Sequence, residues 1–263
     1  MERAIEIEGL SYTYPDGQQA LRGVSFVVRA GERVAFIGPN GAGKSTLLLH
    51  LNGLLRGNDG AVRVLGLPVE DRHLQWIRSK VGLVFQNPED QLFSPTVFDD
   101  VAFGPLNLGC SEEEVKLRVK QALQQVGMSG SEARSPYHLS VGEKKRVAIA
   151  TVLCMDPEVL VLDEPTSNLD PRGRWELIEL LRQLPLTKVI ASHDLGMVRA
   201  LCERTILLDE GRVVADRSTP RILSDLPLLA SHGLAPPMEQ GLSTPPPQPQ
   251  SRGAQAESKC GPV

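Results

Sequence analysis

The sequence predicts an α/β fold, with a mixed sheet, an antiparallel β portion near the N-terminus and a helical subdomain around Val97–Cys154. Three observations carry this. Short β-branched runs alternate with helical patterns, and several runs are apolar throughout, as in parallel strands covered on both faces. One such run passes directly into a glycine-rich loop and then a helix. Between Val97 and Cys154, helical patterns succeed one another with no strand among them.

Taken in chain order, the expected strands are Ala4–Glu8, Ser25–Val28, Arg33–Ile37, Val62–Leu65, Val81–Phe85, Val159–Leu162, Lys188–Ala191, Thr205–Leu208 and Arg212–Ala215. The expected helices are Lys44–Leu51, Val97–Phe103, Glu112–Val126, Val141–Cys154, Arg172–Leu184 and Leu195–Cys202. The third of these repeats Val115, Val119, Ala122, Leu123 and Val126 at helical spacing, and Ser111 with Glu114 reads as a capping box at its start. Residues 1–232 are expected to form one domain, with the helical subdomain at about 87–155. From 233 to 263 the chain is rich in Pro, Gln, Ser and Gly with few apolar anchors, the composition of a disordered tail.

A chain of 263 residues hides roughly 70–75% of its unfolded surface, enough for a core without disulfides or a structural metal. With 28 Lys+Arg against 32 Asp+Glu the net charge is -4, which argues against a dedicated duplex-DNA binder. No run approaches the ~20 apolar residues of a membrane span. The first residues, Met1-Glu2-Arg3-Ala4-Ile5, carry no apolar signal core, so no leader is expected. Cys110, Cys154, Cys202 and Cys260 lie far apart, the pattern of reduced thiols in a cytosolic protein.

The chemistry begins at Gly38-Pro-Asn40-Gly41-Ala-Gly43-Lys44-Ser45-Thr46. This is G-x-x-x-x-G-K-[ST] between a strand and a helix, the context a phosphate-binding loop requires. Its glycines let backbone N–H groups turn inward, Lys44 can reach β- and γ-phosphates, and Ser45 can hold Mg²⁺. Without a phosphate, Lys44 would face the positive end of a helix dipole unpaired. Val159-Leu-Val-Leu162-Asp163-Glu164 is an apolar strand ending in two carboxylates. Asp163 suits Mg²⁺, and Glu164 is placed to polarise an attacking water. Leu139-Ser140-Val141-Gly142-Glu143 is locally a capping box, Ser140 at N-cap and Glu143 at N3.

These motifs, in this order over about residues 4 to 225, resemble the ATP-binding cassette ATPases, whose signature reads Leu-Ser-Gly-Gly-Gln where this chain has Leu139–Glu143. The resemblance implies that Ser140 and Gly142 bind the γ-phosphate of an ATP held by an opposite subunit. Val141 and Glu143 depart from the consensus, and Glu143 adds negative charge near that phosphate. Gln86 looks like the Q-loop glutamine that meets Mg²⁺ and water. Ser167-Asn168-Leu169-Asp170 resembles the D-loop, with Asp170 also a good N-cap before Pro171. His193 resembles the H-loop histidine, and Tyr14 the aromatic that stacks on adenine, with Tyr12 as its rival.

The segments Phe85–Phe93 and Thr96–Gly104 are similar to the ATPase subunits of energy-coupling-factor importers, and Leu139–Ala150 with Ser11–Gly17 look most like the cobalt and nickel members. That likeness implies ATP and Mg²⁺ as cofactors, a second cassette subunit (a homodimer by default) and integral membrane partners. It places the chain peripherally on the cytoplasmic face, with no nucleic acid and no direct binding of the cargo. Leu92 and Phe93 are expected in an exposed groove for the membrane partner, and Val97, Phe98 and Val101 on one helix stripe. The alternative is a non-transport cassette ATPase of metallocluster assembly, which would lack the Asn87–Phe103 pattern.

Overall fold

The computed structural model describes residues 2–58 and 61–234. The chain starts with long strands β1 (Arg3–Thr13) and β2 (Gln19–Arg29), which pair antiparallel. They are far longer than their apolar cores suggested, because the hairpin passes through register shifts on either side of Leu10. Such bulges break the strict alternation from which strands are recognised. Then come β3 (Arg33–Ile37), α1 (Lys44–Leu51), β4 (Val62–Val64), β5 (Leu67–Pro68), α2 (Leu74–Lys80) and β6 (Val81–Val84). Helix α2 was not anticipated; only Leu74 and Ile77 of it are buried, too few for a visible stripe.

Helices α3 (Val97–Asn107), α4 (Glu112–Gln125) and α5 (Val141–Leu153) follow with no strand between them. The remainder is β7 (Val159–Asp163), α6 (Pro171–Gln183), β8 (Thr187–Ala191), α7 (Leu195–Leu201), β9 (Arg204–Asp209), β10 (Arg212–Ser218), α8 (Thr219–Leu223) and α9 (Leu226–Ser231). Helix α3 runs past the expected stop at Phe103 and carries Pro105 in its final turns. At α4, Ser111 accepts from Glu114 N–H, but the Glu114 carboxylate pairs with Arg118 at 2.7 Å, so only half the expected capping box forms.

Two sheets result. β2-β1-β4-β5 is antiparallel, and β10-β9-β3-β8-β7-β6 is parallel except for the β9–β10 hairpin. The parallel strands are buried on both faces. Val34, Phe36, Val159 and Val161 pack toward α1 and the antiparallel sheet. Ala35, Ile37, Leu160 and Leu162 pack toward α3–α7. This explains their unbroken apolar runs.

One expectation needs correction. Leu92 is not in an open groove: it is buried in the core with Val97 and Val101, while Phe93 next to it is 61% exposed. At the end of the described residues Leu229 and Leu234 are buried, and Leu234 N–H closes α9 on Leu229 O. From residue 235 the proline-rich tail lies outside the described residues.

Candidate nucleotide site

Strands β6, β7, β8 and β3 are neighbours in one sheet and all parallel, so their C-terminal ends share one rim. In open α/β sheets that rim is where ligands bind. Here it carries Gln86 after β6, Asp163 and Glu164 at the end of β7, His193 after β8, and the glycine-rich loop after β3. With Tyr14, Gln18 and Ala20 from the β1–β2 hairpin they line a pocket of about 310 Å³, to which the loop contributes Asn40, Gly41, Gly43, Lys44, Ser45 and Thr46.

The loop is tightly built. At Gly38, φ is +152°, and a Cβ would meet the Leu208 carbonyl oxygen at 2.0 Å, so no other residue fits. Gly38 itself does not line the pocket. Helix α1 begins after Gly43 with no side-chain cap, leaving its first N–H groups available to an anion. Buried Lys44 donates to Gly38 O at 2.8 Å and Pro39 O at 2.9 Å. Burial pulls its pKa down, opposed by the charges of Glu164 and Asp163.

Asp163 Oδ1 is buried with no hydrogen-bond partner. Burial raises this carboxyl's pKa, and a hydrogen bond from Ser45 opposes the rise. An orphaned carboxylate oxygen beside a hydroxyl, with the Gln86 amide on the same pocket wall, is a donor set that fits a hard divalent cation such as Mg²⁺.

Glu164 is buried and has φ +44°, a left-handed conformation in a non-glycine residue. Its carboxylate accepts from Ser192 Oγ at 3.2 Å and from His193 N–H at 3.1 Å, and His193 Nδ1 lies 2.8 Å from Oε2. The His193 segment is itself anchored: Arg174 donates to both oxygens of Asp194, at 2.6 and 2.7 Å, and Thr166 Oγ1 donates to the same carboxylate. At the far end of the pocket, Tyr14 presents its ring and hydrogen-bonds Thr46 through its hydroxyl at 3.0 Å. Tyr12 instead packs edge-on between Tyr14 and buried His50.

Ser140, Gly142 and Asp170 do not reach this pocket. They line a separate surface recess of about 340 Å³ with Val141, Asn168 and Leu169. Both halves of the Ser140–Glu143 capping box are formed. Glu143 also accepts from Arg134 at 2.8 Å, and this guanidinium together with the Ser140 N–H holds its pKa down to about 2. The extra acid of the signature is thus neutralised within the chain. At Gly142 a Cβ would meet only Leu169 Cδ2, at an ordinary 3.7 Å. Glycine costs about 1 kcal/mol in a helix relative to Ala, and nothing among the described residues requires it there. Asp170 caps α6, accepting from Gly173 N–H at 2.6 Å.

Three residues escaped the sequence reading. Gln18 and Ala20 line the pocket only because the hairpin folds over the loop. Lys145, 4% exposed, lies behind the site, where burial brings its pKa down to about 8 against the pull of Glu164 and Asp163. A lysine on the buried stripe of α5, with Ala148, Ile149 and Val152, was the available signal.

Residues 21–167 match the ABC transporter family. A protein of Streptomyces avermitilis is 54% identical over 234 residues, covering 89% of each chain, and carries only the general, unproven description of an ABC transporter ATP-binding protein. The energy-coupling factor transporter ATP-binding protein EcfA of Methanothermobacter thermautotrophicus is 52% identical over 238 residues, covering 89% of this chain and 76% of its own. Among solved structures, CbiO1 of Clostridium perfringens, described as part of the ABC transporter complex CbiONQ, matches with a TM-score of 0.78 at 37% identity, over 90% of this chain and 97% of that one.

Proposed function

This chain belongs to the ABC transporter family, and on that premise we propose that it is the ATPase subunit of an energy-coupling-factor type importer that energises uptake of cobalt or nickel through membrane partner subunits. The observation that carries the ATPase reading is the convergence of Lys44, Asp163, Glu164 and His193 on one pocket at the strand ends. The likenesses to EcfA and to CbiO1 support the importer branch. The choice of metal rests on the resemblance of the Ser11–Gly17 and Leu139–Ala150 segments.

In this reading the ATP phosphates lie on the loop N–H groups and Lys44, and the adenine lies on Tyr14. Ser45, Asp163 and Gln86 would hold Mg²⁺, which would supply neutralisation of the phosphate charge. Glu164 takes the proton of the attacking water, and His193, bound to the same carboxylate, orients it beside the γ-phosphate. The recess of Ser140, Gly142 and Asp170 receives the nucleotide of a second copy in a head-to-tail dimer. A glycine that no neighbour among the described residues requires supports a close approach from outside the chain.

The cassette in this reading spans residues 1–232, with 87–155 as its helical subdomain. Among the described residues no helix is long and apolar enough to cross a membrane. We place the subunit peripherally on the cytoplasmic face, docked through a groove of about 630 Å³ that includes Phe85, Phe93, Phe103 and Met155, with Asp90 and Asp100 among its polar residues. Phe93 and Phe103 are 61% and 52% exposed and stack edge-on, an apolar surface suited to a partner's helix.

Uptake of Co²⁺ and Ni²⁺ by cells with and without the gene tests the reading, together with co-purification from detergent extracts. The expected result is loss of uptake of one metal, restored by the wild-type gene and not by Glu164→Gln. Unchanged uptake of both metals would remove the metal assignment while leaving the ATPase intact.

A further inference from the structure

Lys145 sits on α5, five residues beyond Ser140 and three beyond Gly142, yet its side chain is directed away from their recess and into the protein. Its ammonium donates to Gln86 O at 3.2 Å, Glu164 O at 3.1 Å and Ser167 Oγ at 3.0 Å. An ammonium has three protons, and all are used. The acceptors come from the segment after β6, the segment after β7, and the loop leading to α6. A buried ammonium is costly unless fully paired, so a site that keeps one makes these three segments mutually dependent.

The most constrained acceptor is Glu164. Its left-handed backbone persists only if its surroundings hold it. Glu164 N–H is bonded to Ala191 O, while Glu164 O accepts from Ser167 N–H at 3.2 Å, Ser167 Oγ at 2.9 Å and Lys145. Of these donors only Lys145 comes from the helical insertion. Its neighbour Lys144 pairs with Glu89 at 2.5 Å, in the turn that follows Gln86, so α5 grips that segment at two points.

We propose that Lys145 is a positioning residue for ATP hydrolysis: its ammonium fixes the strained backbone of Glu164 against the Gln86 and Ser167 segments, which keeps the Glu164 carboxylate aimed into the nucleotide pocket, and it links that alignment to the helix bearing Ser140 and Gly142. The inference rests on Glu164 being the group that polarises water. A lysine serving only to satisfy buried carbonyls would affect folding and leave the rate of the folded protein alone.

Lys145→Met keeps the length and apolar stem and removes the donor. In the full chain, kcat should fall roughly 10–100-fold, the scale of a displaced catalytic group, with affinity for a fluorescent ATP analogue unchanged within about 2-fold. In a Glu164→Gln background, Lys145→Met should change the residual rate by less than about 2-fold, because the carboxylate it positions is already gone. A near-wild-type kcat for folded Lys145→Met overturns the proposal, as does an equal fractional loss in both backgrounds. If Lys145→Met does not fold, Lys145→Gln, which retains a donor, is held to the same two comparisons; failure of both variants to fold assigns Lys145 to the fold and overturns the proposal. Glu164→Gln alone reports separately on the water-polarising role: if it keeps its turnover, that reading fails, whatever Lys145→Met does.

Discussion

Glu164 and His193 are joined twice: the His193 N–H donates to Oε1 at 3.1 Å, and His193 Nδ1 lies 2.8 Å from Oε2. The carboxylate is therefore held by the segment after β8 while its own backbone belongs to the segment after β7. Glu164→Gln should retain ATP binding and lose about 10²–10⁴-fold in turnover, the usual contribution of a positioned base. Steady-state hydrolysis and nucleotide-bound gel filtration check this, the latter expecting an accumulated dimer. Turnover near wild type would transfer the base role to His193.

The mixed-dimer experiment follows from the two separate recesses. Lys44 lines one and Ser140 the other, with no lining residue in common. In a head-to-tail dimer of Lys44→Ala with Ser140→Arg, one nucleotide site carries both lesions and the other carries neither. Mixing the two inactive proteins should restore part of the ATPase rate. If mixed dimers form and stay inactive at every ratio, either the pairing or the independence of its two sites is wrong.

Glu143 provides a pH test. Its folded pKa, near 2, is depressed below the model-compound value of 4.5 by Arg134 and the Ser140 N–H. A depressed carboxylate contributes stability above its unfolded pKa and loses it as pH falls toward the folded one. Wild type should therefore lose more melting temperature between pH 4.5 and 2 than Glu143→Gln does. Because Arg134 already neutralises this charge, Glu143→Gln should leave kcat at pH 7 within about 2-fold. Parallel acid titration curves for the two proteins would refute the ion pair, and a large gain in kcat would show that the acid repels phosphate after all.

Phe93→Asp separates docking from folding. Phe93 is exposed and its aromatic contact is with Phe103, so the substitution should cost the isolated protein only about 1 kcal/mol and leave ATP hydrolysis intact. Assembly with the membrane subunits should weaken. A melting loss of the ~3–5 kcal/mol typical of a deleted core aromatic would return Phe93 to the interior.

The two neighbours Leu92 and Phe93 show how far local pattern reaches. Both looked alike in sequence, apolar and ahead of a helix, yet Leu92 joins Val97 and Val101 in the core while Phe93 faces out. Asp100 decides this: its Oδ1 accepts from Phe93 N–H and Ser94 N–H, turning the chain between the two side chains. Nothing in the spacing reveals that bond. Conversely, the motif favoured Tyr14 with Tyr12 as a rival, and the packing of Tyr12 on His50 leaves Tyr14 to line the pocket.

What the sequence by itself determined was everything with a local cause. The apolar runs dictate buried parallel strands, Gly38 to Ser45 dictate a loop of inward N–H groups before a helix, and Ser140 with Glu143 dictates a capped helix start. The tertiary structure alone decided which local pieces meet. Strand order β3-β8-β7-β6 brings Lys44, His193, Glu164 and Gln86 to one rim although up to 149 residues separate them in the chain, from Lys44 to His193. It also puts Arg134 on Glu143, and it buries Lys145 among three backbone segments that share no sequence pattern. Periodicity reports only whether a residue faces the interior; what an ammonium or a carboxylate finds there depends on chain crossings, and a local pattern carries no record of those.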